Sequence, residues 1–465
     1  MLRRALLAAL LSLVVTQATF AQPPASEATH RAEAIRRYES LLHNPSPALE
    51  GRRDELMFRL ALLYLEEAQA SGPSLGGSYY PRAVSLLDQV LARKNTIFRE
   101  DALYYRAIAL QDTGRTEESV IAFRSLLREF PASPRSAELW FRTGNHAIQK
   151  GRLQEALTAY EEVLRRADPN YRDQAAYMFA WTAFSLHHES RARTTLMDLL
   201  QRLEAGGQQQ ANLYPEGVEL LAKVIRSEEN PAVLSGPWIG SRPAFAPVVL
   251  RRVADLFRET SAYRQAATAY EQLLREYPDT ADVDAVEKTI IDSWLKAGDP
   301  ARAQEARGRL IQRHLALSGD RLKPESVPEI GPVVKDSALY LHRIGRETKR
   351  PDLYRQAVDG YQLYATSVGG GAEQWDAMFF QAEALKEMGD ATGAADRYKL
   401  VAESHDAAHG EEAAFRRVAL LEDLKQRGQA SVDQVVGTYE DYFRLYPAGK
   451  RETELRVRYA GYLFD

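Results

Sequence analysis

Residues 137–169 read AELWFRTGNHAIQKGRLQEALTAYEEVLRRADP, and this stretch decides how the rest of the chain is read. In its second half Leu153, Ala156, Leu157, Tyr160, Val163 and Leu164 recur at i, i+3, i+4, i+7, i+10 and i+11, the spacing of one apolar face of an α-helix. Gly151 and Arg152 predict a turn between two antiparallel helices, because glycine reaches the left-handed conformation that ends a helix. Small residues at Gly144, Ala147 and Ala156 let the two backbones approach, and Tyr160 fills the wider gap beyond them.

Working outward, the same pattern returns in DALYYRAIALQDTGRTEESVIAFRSLLREFP, with Ser119 in the small-residue slot followed by Phe123, Leu126 and Pro131. It returns in VVLRRVADLFRETSAYRQAATAYEQLLREYP, with Ala254, Ala266, Tyr270, Leu273 and Pro278. Weaker copies place Ala83, Ala192, Ala303, Ala357, Ala394 and Val435 in that slot, so successive anchors are 36, 37, 36, 74, 37, 54, 37 and 41 residues apart. These units resemble the tetratricopeptide (TPR) repeat over roughly residues 32–464. The resemblance implies an all-α fold, an α-solenoid of about nine to ten helical hairpins wound into a right-handed superhelix, each hairpin buried only against its neighbours. Repeat-packing roles then fall to Gly144, Ala156, Tyr160, Ala254, Ala266 and Tyr270.

The 74-residue interval is two periods, which predicts a degenerate repeat whose first helix is Asn212 to Arg226 and whose second is broken by Pro231, Gly236, Pro237, Gly240 and Pro243. The 54-residue interval carries 17 extra residues in LALSGDRLKPESVPEIGP, with Gly319, Pro324, Pro328 and Pro332, and is read as the main internal boundary. GPSLGG at 72–77 and GGG at 369–371 read as turns, and residues 450–465 as a capping helix. The expected organisation is a signal peptide over 1–21, a first block over 22–204, the degenerate repeat over 205–243, a middle block over 244–316, a linker over 317–332 and a last block over 333–465.

The amino-terminal reading follows from Arg3 and Arg4, an apolar run from Ala5 to Val15, and Thr19-Phe20-Ala21, the three parts of a secretory signal. Cleavage after Ala21 and a periplasmic location are expected. The apolar run is shorter than the ~20 residues of a membrane span, so no integral membrane segment is expected once the signal is cleaved. The absence of cysteine excludes a lipoprotein anchor, disulfides, thiol catalysis and Cys-ligated metals. Endings such as Phe130-Pro131, Tyr277-Pro278 and Tyr446-Pro447 look like those of cell-envelope TPR families, the outer-membrane assembly factor D family and the Tol-Pal coordinator family among them. The missing lipobox cysteine and the lack of an evident amino-terminal coiled coil depart from those patterns, so the class is carried over without a pathway.

Across 465 residues, 60 Lys and Arg balance 64 Asp and Glu for a formal charge of −4, which argues against nucleic acid as partner. Neither His-Glu-x-x-His nor a phosphate loop is present, and the Gly-x-Ser-x-Gly spacing at 72–76 lies in a segment read as a turn between helices, without the preceding strand of a nucleophile elbow. His405 and His409 have the i, i+4 spacing of metal ligands but lack a third ligand and read as solvated loop residues; His187-His188 reads as an irregular turn. The expectation is therefore a non-catalytic scaffold without cofactor, metal or evident small-molecule substrate, which binds a protein or peptide of the cell envelope through its concave groove, in cell-envelope assembly. A structural spacer or self-assembling rod, and an envelope enzyme with a hidden carboxylate or histidine site, are the alternatives.

A binding surface would lie on the column of first helices. There Tyr104, Phe141 and Tyr177 succeed one another, followed one turn on by Ile108, Asn145 and Trp181, then Phe184. Later repeats place Arg251, Asp255, Arg258, Lys288, Asp292, Phe379, Glu383 and Lys386 there. Two readings stand open: a groove with aromatic and charged stretches, or aromatics consumed by packing between helices. Of the Lys, Arg and Asn set with which some TPR domains clamp a terminal carboxylate, only Asn145 is kept, so that mode is disfavoured.

Overall fold

The computed structural model describes residues 25–44, 46–71, 77–207, 212–228 and 240–463. The signal sequence, GPSLGG up to residue 76 and the prolines at 231 and 237 lie outside those residues. The described residues are all-α, with no strand among them. The chain divides into two compact units, residues 1–228 and 229–465.

The first unit opens with α1 (Ala25–His43), the short α2 (Pro47–Glu50), α3 (Arg53–Ala70) and α4 (Tyr79–Leu91). Three regular hairpins follow: α5 (Arg99–Asp112) with α6 (Thr116–Glu129), α7 (Ser136–Gln149) with α8 (Leu153–Arg166), and α9 (Arg172–Ser185) with α10 (Glu189–Ala205). The unit closes with α11 (Leu213–Ser227), the expected first helix of the degenerate repeat. The second unit pairs α12 (Phe245–Glu259) with α13 (Tyr263–Glu276), and α14 (Val283–Lys296) with α15 (Pro300–Ser318). It continues with α16 (Val327–Thr348) and α17 (Pro351–Val368), α18 (Ala372–Met388) and α19 (Ala391–Glu403), and α20 (Gly410–Gln426) and α21 (Val432–Leu445). α22 (Glu452–Tyr462) caps the array with Leu455 fully buried.

The hairpins from α5 onward whose turns are described share one turn chemistry. Gly151 takes φ +71°, and the Arg152 N–H donates to the Ala147 carbonyl at 2.8 Å, the six-to-one bond of a Schellman cap. His187 at φ +58° and Ser261 at +59° occupy the same left-handed position in their hairpins, with the His188 and Ala262 N–H groups bonded to Ala183 and Phe257 at 2.9 Å. His187-His188 is therefore a turn, as read, made with a residue that tolerates this region less easily than glycine.

Above the turn, the two helices touch through the small-residue slot. Ala156, Ala254 and Ala266 are fully buried, and a Cβ placed on Gly144 would lie 2.7 Å from Cε1 of Tyr160. Ser119 fills the slot in its repeat because its hydroxyl donates to the Ala107 carbonyl at 2.7 Å, so the polar atom is buried with a partner.

The linker expected over 317–332 is corrected. Only residues 319–323 are irregular before a short 3-10 turn, Pro324–Ser326, and α16 begins at Val327, with Pro328 in its first turn and Pro332 inside it. The extra residues lengthen helices instead: α15, α16 and α17 have 19, 22 and 18 residues where α7 and α8 have 14. A proline this close to the amino terminus costs one intrahelical bond, and the boundary between the compact units lies at 228/229 instead.

Two substitutions test the hairpin contact. Gly144→Ala and Ala156→Trp should each lower unfolding free energy by about 1–3 kcal/mol in urea titrations followed by circular dichroism. Gly437→Ala, in a helix with open space around it, should raise it by about 0.5–1 kcal/mol; the same sign at all three positions would contradict the packing.

Candidate binding surface of the first helices

In the first unit the aromatic column is divided between core and surface. Phe141 is 4% exposed, with ring centroids 5.9 Å from Tyr160 and 5.6 Å from Tyr171. Tyr177 is 8% exposed, and burial pushes its phenol up to about 12. Both belong to packing between helices, the second of the two readings left open by the sequence. Tyr104 stays half-buried: its hydroxyl donates to Glu138 at 3.1 Å and the Arg135 guanidinium carbon lies 4.5 Å from its ring centroid. Ile108, Trp181 and Phe184 are likewise half-buried on the first helices α5 and α9.

Asn145 also has an internal duty. Its Oδ1 accepts the Tyr160 hydroxyl at 2.7 Å. The arrangement repeats: Asp255 accepts from Tyr270 and Glu383 from Tyr398, in each case from fifteen residues further along the chain. A buried phenol needs an acceptor, and one position on the first helix supplies it. Where the second-helix position is apolar, the first-helix partner is apolar too, as in Ile108 with Phe123 and Trp181 with Leu196.

The charged column of the second unit is largely paired along the array. Arg251 forks onto both oxygens of Asp282 at 2.7 Å. Arg258 reaches Asp292 at 3.5 Å, and Asp292 also holds Lys296 at 2.8 Å. Lys288 pairs with Glu329 at 2.7 Å. These pairs are half-exposed, so each adds little stability and mainly spends the charge locally. The Arg251 and Arg258 side chains are therefore not an unpartnered cationic surface.

His409 is not a solvated loop histidine. Its Nε2 lies 2.9 Å from Asp376, whose other oxygen takes Lys335 at 2.7 Å, and its ring stacks on Phe379 at 4.6 Å. His405 takes φ +55° beside Tyr446, 5.5 Å between centroids. Among the described residues no group of three or more His, Asp or Glu side chains could hold a metal ion, and no helix is long and apolar enough to cross a membrane.

The lengthened hairpin holds column members that sequence reading passed over. Fifteen residues before the Ala357 slot stands His342, in the place of Phe141 and Arg251, with Arg346 one turn on. The signal was present in the spacing but was hidden by the extra residues before the repeat. His342 is 4% exposed; its Nδ1 is 3.3 Å from the Tyr361 hydroxyl and its Nε2 is 3.4 Å from Glu387. Burial pushes its pKa down, against the opposing pull of Glu387. It lines an open cleft of about 560 Å³ with α14, α15, α16 and α18 residues.

Family models of the tetratricopeptide repeat match residues 77–134 and 104–172, and a second model of the same repeat matches 249–280. Those spans contain the hairpins with the Gly144–Tyr160 and Asp255–Tyr270 contacts, and these stretches of the chain are tetratricopeptide repeats. Similar solved structures include the C-terminal part of a TPR repeat-containing protein from Cytophaga hutchinsonii, at 15% identity and TM-score 0.33, covering 60% of this chain and 95% of that one. Another is a tetratricopeptide repeat protein from Parabacteroides merdae, at 12% identity and TM-score 0.30, covering 72% and 98%. No curated protein matches the sequence significantly.

Two measurements check this surface. Tyr160→Phe should cost about 0.5–1.5 kcal/mol and Tyr270→Phe, which loses a bond to a carboxylate, about 1.5–3 kcal/mol in urea unfolding. For His342 the folded pKa lies below the unfolded value of about 6.5, so the unfolded chain binds more protons: its contribution is complete above that pH and is lost as pH falls below it. His342→Phe should flatten the fall of the urea midpoint between pH 7 and pH 5; an unchanged slope would contradict a buried neutral imidazole.

Proposed function

We propose that this protein is an exported, periplasmic TPR scaffold that binds another protein of the cell envelope through the first helices of its first unit. TPR repeats suggest a protein–protein interaction scaffold, a fold that is generally non-catalytic. The observation that carries the choice of surface is the row of half-buried Tyr104, Ile108, Trp181 and Phe184 on α5 and α9. Amphipathic aromatic anchors of this kind offer large contact area at small conformational cost. The positive, apolar and small-residue segments of residues 1–21 support export. The Phe-Pro and Tyr-Pro repeat endings support the envelope setting.

Photo-crosslinking residues placed at positions 104 and 181 in cells should capture one discrete partner, whereas position 121 on α6, where Ile121 is 65% exposed, should not. Trp181→Asp should abolish capture from position 104 with helicity retained. Equal capture from all three positions would defeat the assignment of the surface. Retention of residues 1–21 in the isolated protein, read by mass spectrometry, or its recovery with the cytoplasm would defeat the periplasmic setting.

A further inference from the structure

The second unit breaks the tyrosine rule of the array at one place. Four residues after the small-residue slot, Tyr160, Tyr270, Tyr361, Tyr398 and Tyr439 stand in their repeats, and the equivalent residue after Ala303 is Arg307. Its side chain is 9% exposed, and the nearest carboxylate oxygen, on Asp336, lies 3.9 Å away. Among the described residues it donates no side-chain hydrogen bond. Asp292, fifteen residues back, is held by Lys296 and Arg258 instead. Most of the side chain is packed away, while its guanidinium, with five donors, lines an open cleft and meets no carboxylate closer than Asp336.

Arg307 lines the 560 Å³ cleft together with Arg343 and Arg346, of which Arg346 is held by Glu387 at 2.8 Å; the cleft's own lining brings one carboxylate, Asp336. Arg343 is exposed, lies 5.5 Å from the Tyr340 ring centroid and has no carboxylate partner among the described residues. The same cleft is lined by Leu295 and Leu339, 44% and 37% exposed, and by Tyr340. Cationic donors and uncovered apolar side chains thus share one opening, made where the lengthened α15 and α16 meet.

We propose that this cleft docks an extended segment of a partner protein in which a bulky apolar side chain lies beside a carboxylate. The carboxylate accepts from Arg307 and Arg343, and the apolar group packs on Leu295, Leu339 and Tyr340. The choice rests on charge complementarity: an uncharged apolar segment would leave Arg307 and Arg343 to water, and a purely acidic one would leave the leucines in water. The inference builds on the scaffold reading but concerns the other unit of the chain.

The test uses the full chain and a fluorescein-labelled heptapeptide, Gly-Glu-Phe-Glu-Leu-Glu-Gly, by fluorescence anisotropy. Binding should weaken at least about tenfold when Gln replaces Glu and when Ala replaces Phe and Leu, and should weaken with added salt. Arg343→Gln, at an exposed position, should cause a loss of similar size. Arg307→Tyr restores the residue type of the other hairpins of the second unit, so it should melt no lower than the parent yet lose the peptide. Equal binding of the Glu and Gln peptides, no binding of either, or unaltered binding by both variants overturns the proposal. Self-association in sedimentation that Arg343→Gln abolishes would make a second copy of the chain the occupant, and overturns it too. Capture from positions 104 and 181 without peptide binding removes this cleft alone; peptide binding without capture there removes only the surface on the first unit.

Discussion

Everything in this array rests on how closely two helices of a hairpin can approach. At Gly144 the backbone of α7 lies against the ring of Tyr160, leaving no room for a methyl group. That distance sets where Phe141 packs, which side chains of α7 remain at the surface, and how the next hairpin stacks. The contact is short-range in sequence, spanning sixteen residues, so each hairpin can specify itself. Stability of the whole then comes from hairpins plus the interfaces between neighbours.

Burying a tyrosine at that contact creates a second requirement. The hydroxyl must find an acceptor, and in each regular case the first helix supplies it: Asn145, Asp255 or Glu383. These polar residues look available for a ligand when read along the column, yet they are occupied by their own repeat. The same accounting gives meaning to the exception, because Arg307 brings donors to a position where Tyr160, Tyr270 and Tyr398 bring a hydroxyl with a partner.

Much of the fold was legible in residue spacing. The 37-residue period, the turn at Gly151, the equivalent turn at His187 and the capping helix near residue 452 all follow from local chemistry that neighbouring residues suffice to express. The lengthened hairpin was misjudged for a physical reason: Pro324, Pro328 and Pro332 read as breakers, but a proline in or just beyond the first turn of a helix removes few hydrogen bonds. The candidate surface was legible only in part. Periodicity placed Phe141, Tyr177, Tyr104 and Trp181 on one column, and helix spacing cannot say which of them a neighbouring helix will cover.

The amino-acid order alone thus sufficed for the helices, their pairing and the small-residue contact, since these depend on groups within one repeat. Which side chains remain exposed, which charges are already spent and which donors lack an acceptor depend on atoms tens of residues away. Arg251 meeting Asp282, His409 stacking on Phe379, and Arg307 left without a bonded carboxylate became visible only once the hairpins of the second unit were stacked. Burial and hydrogen-bond satisfaction are properties of three-dimensional neighbours, and sequence spacing records only a part of them.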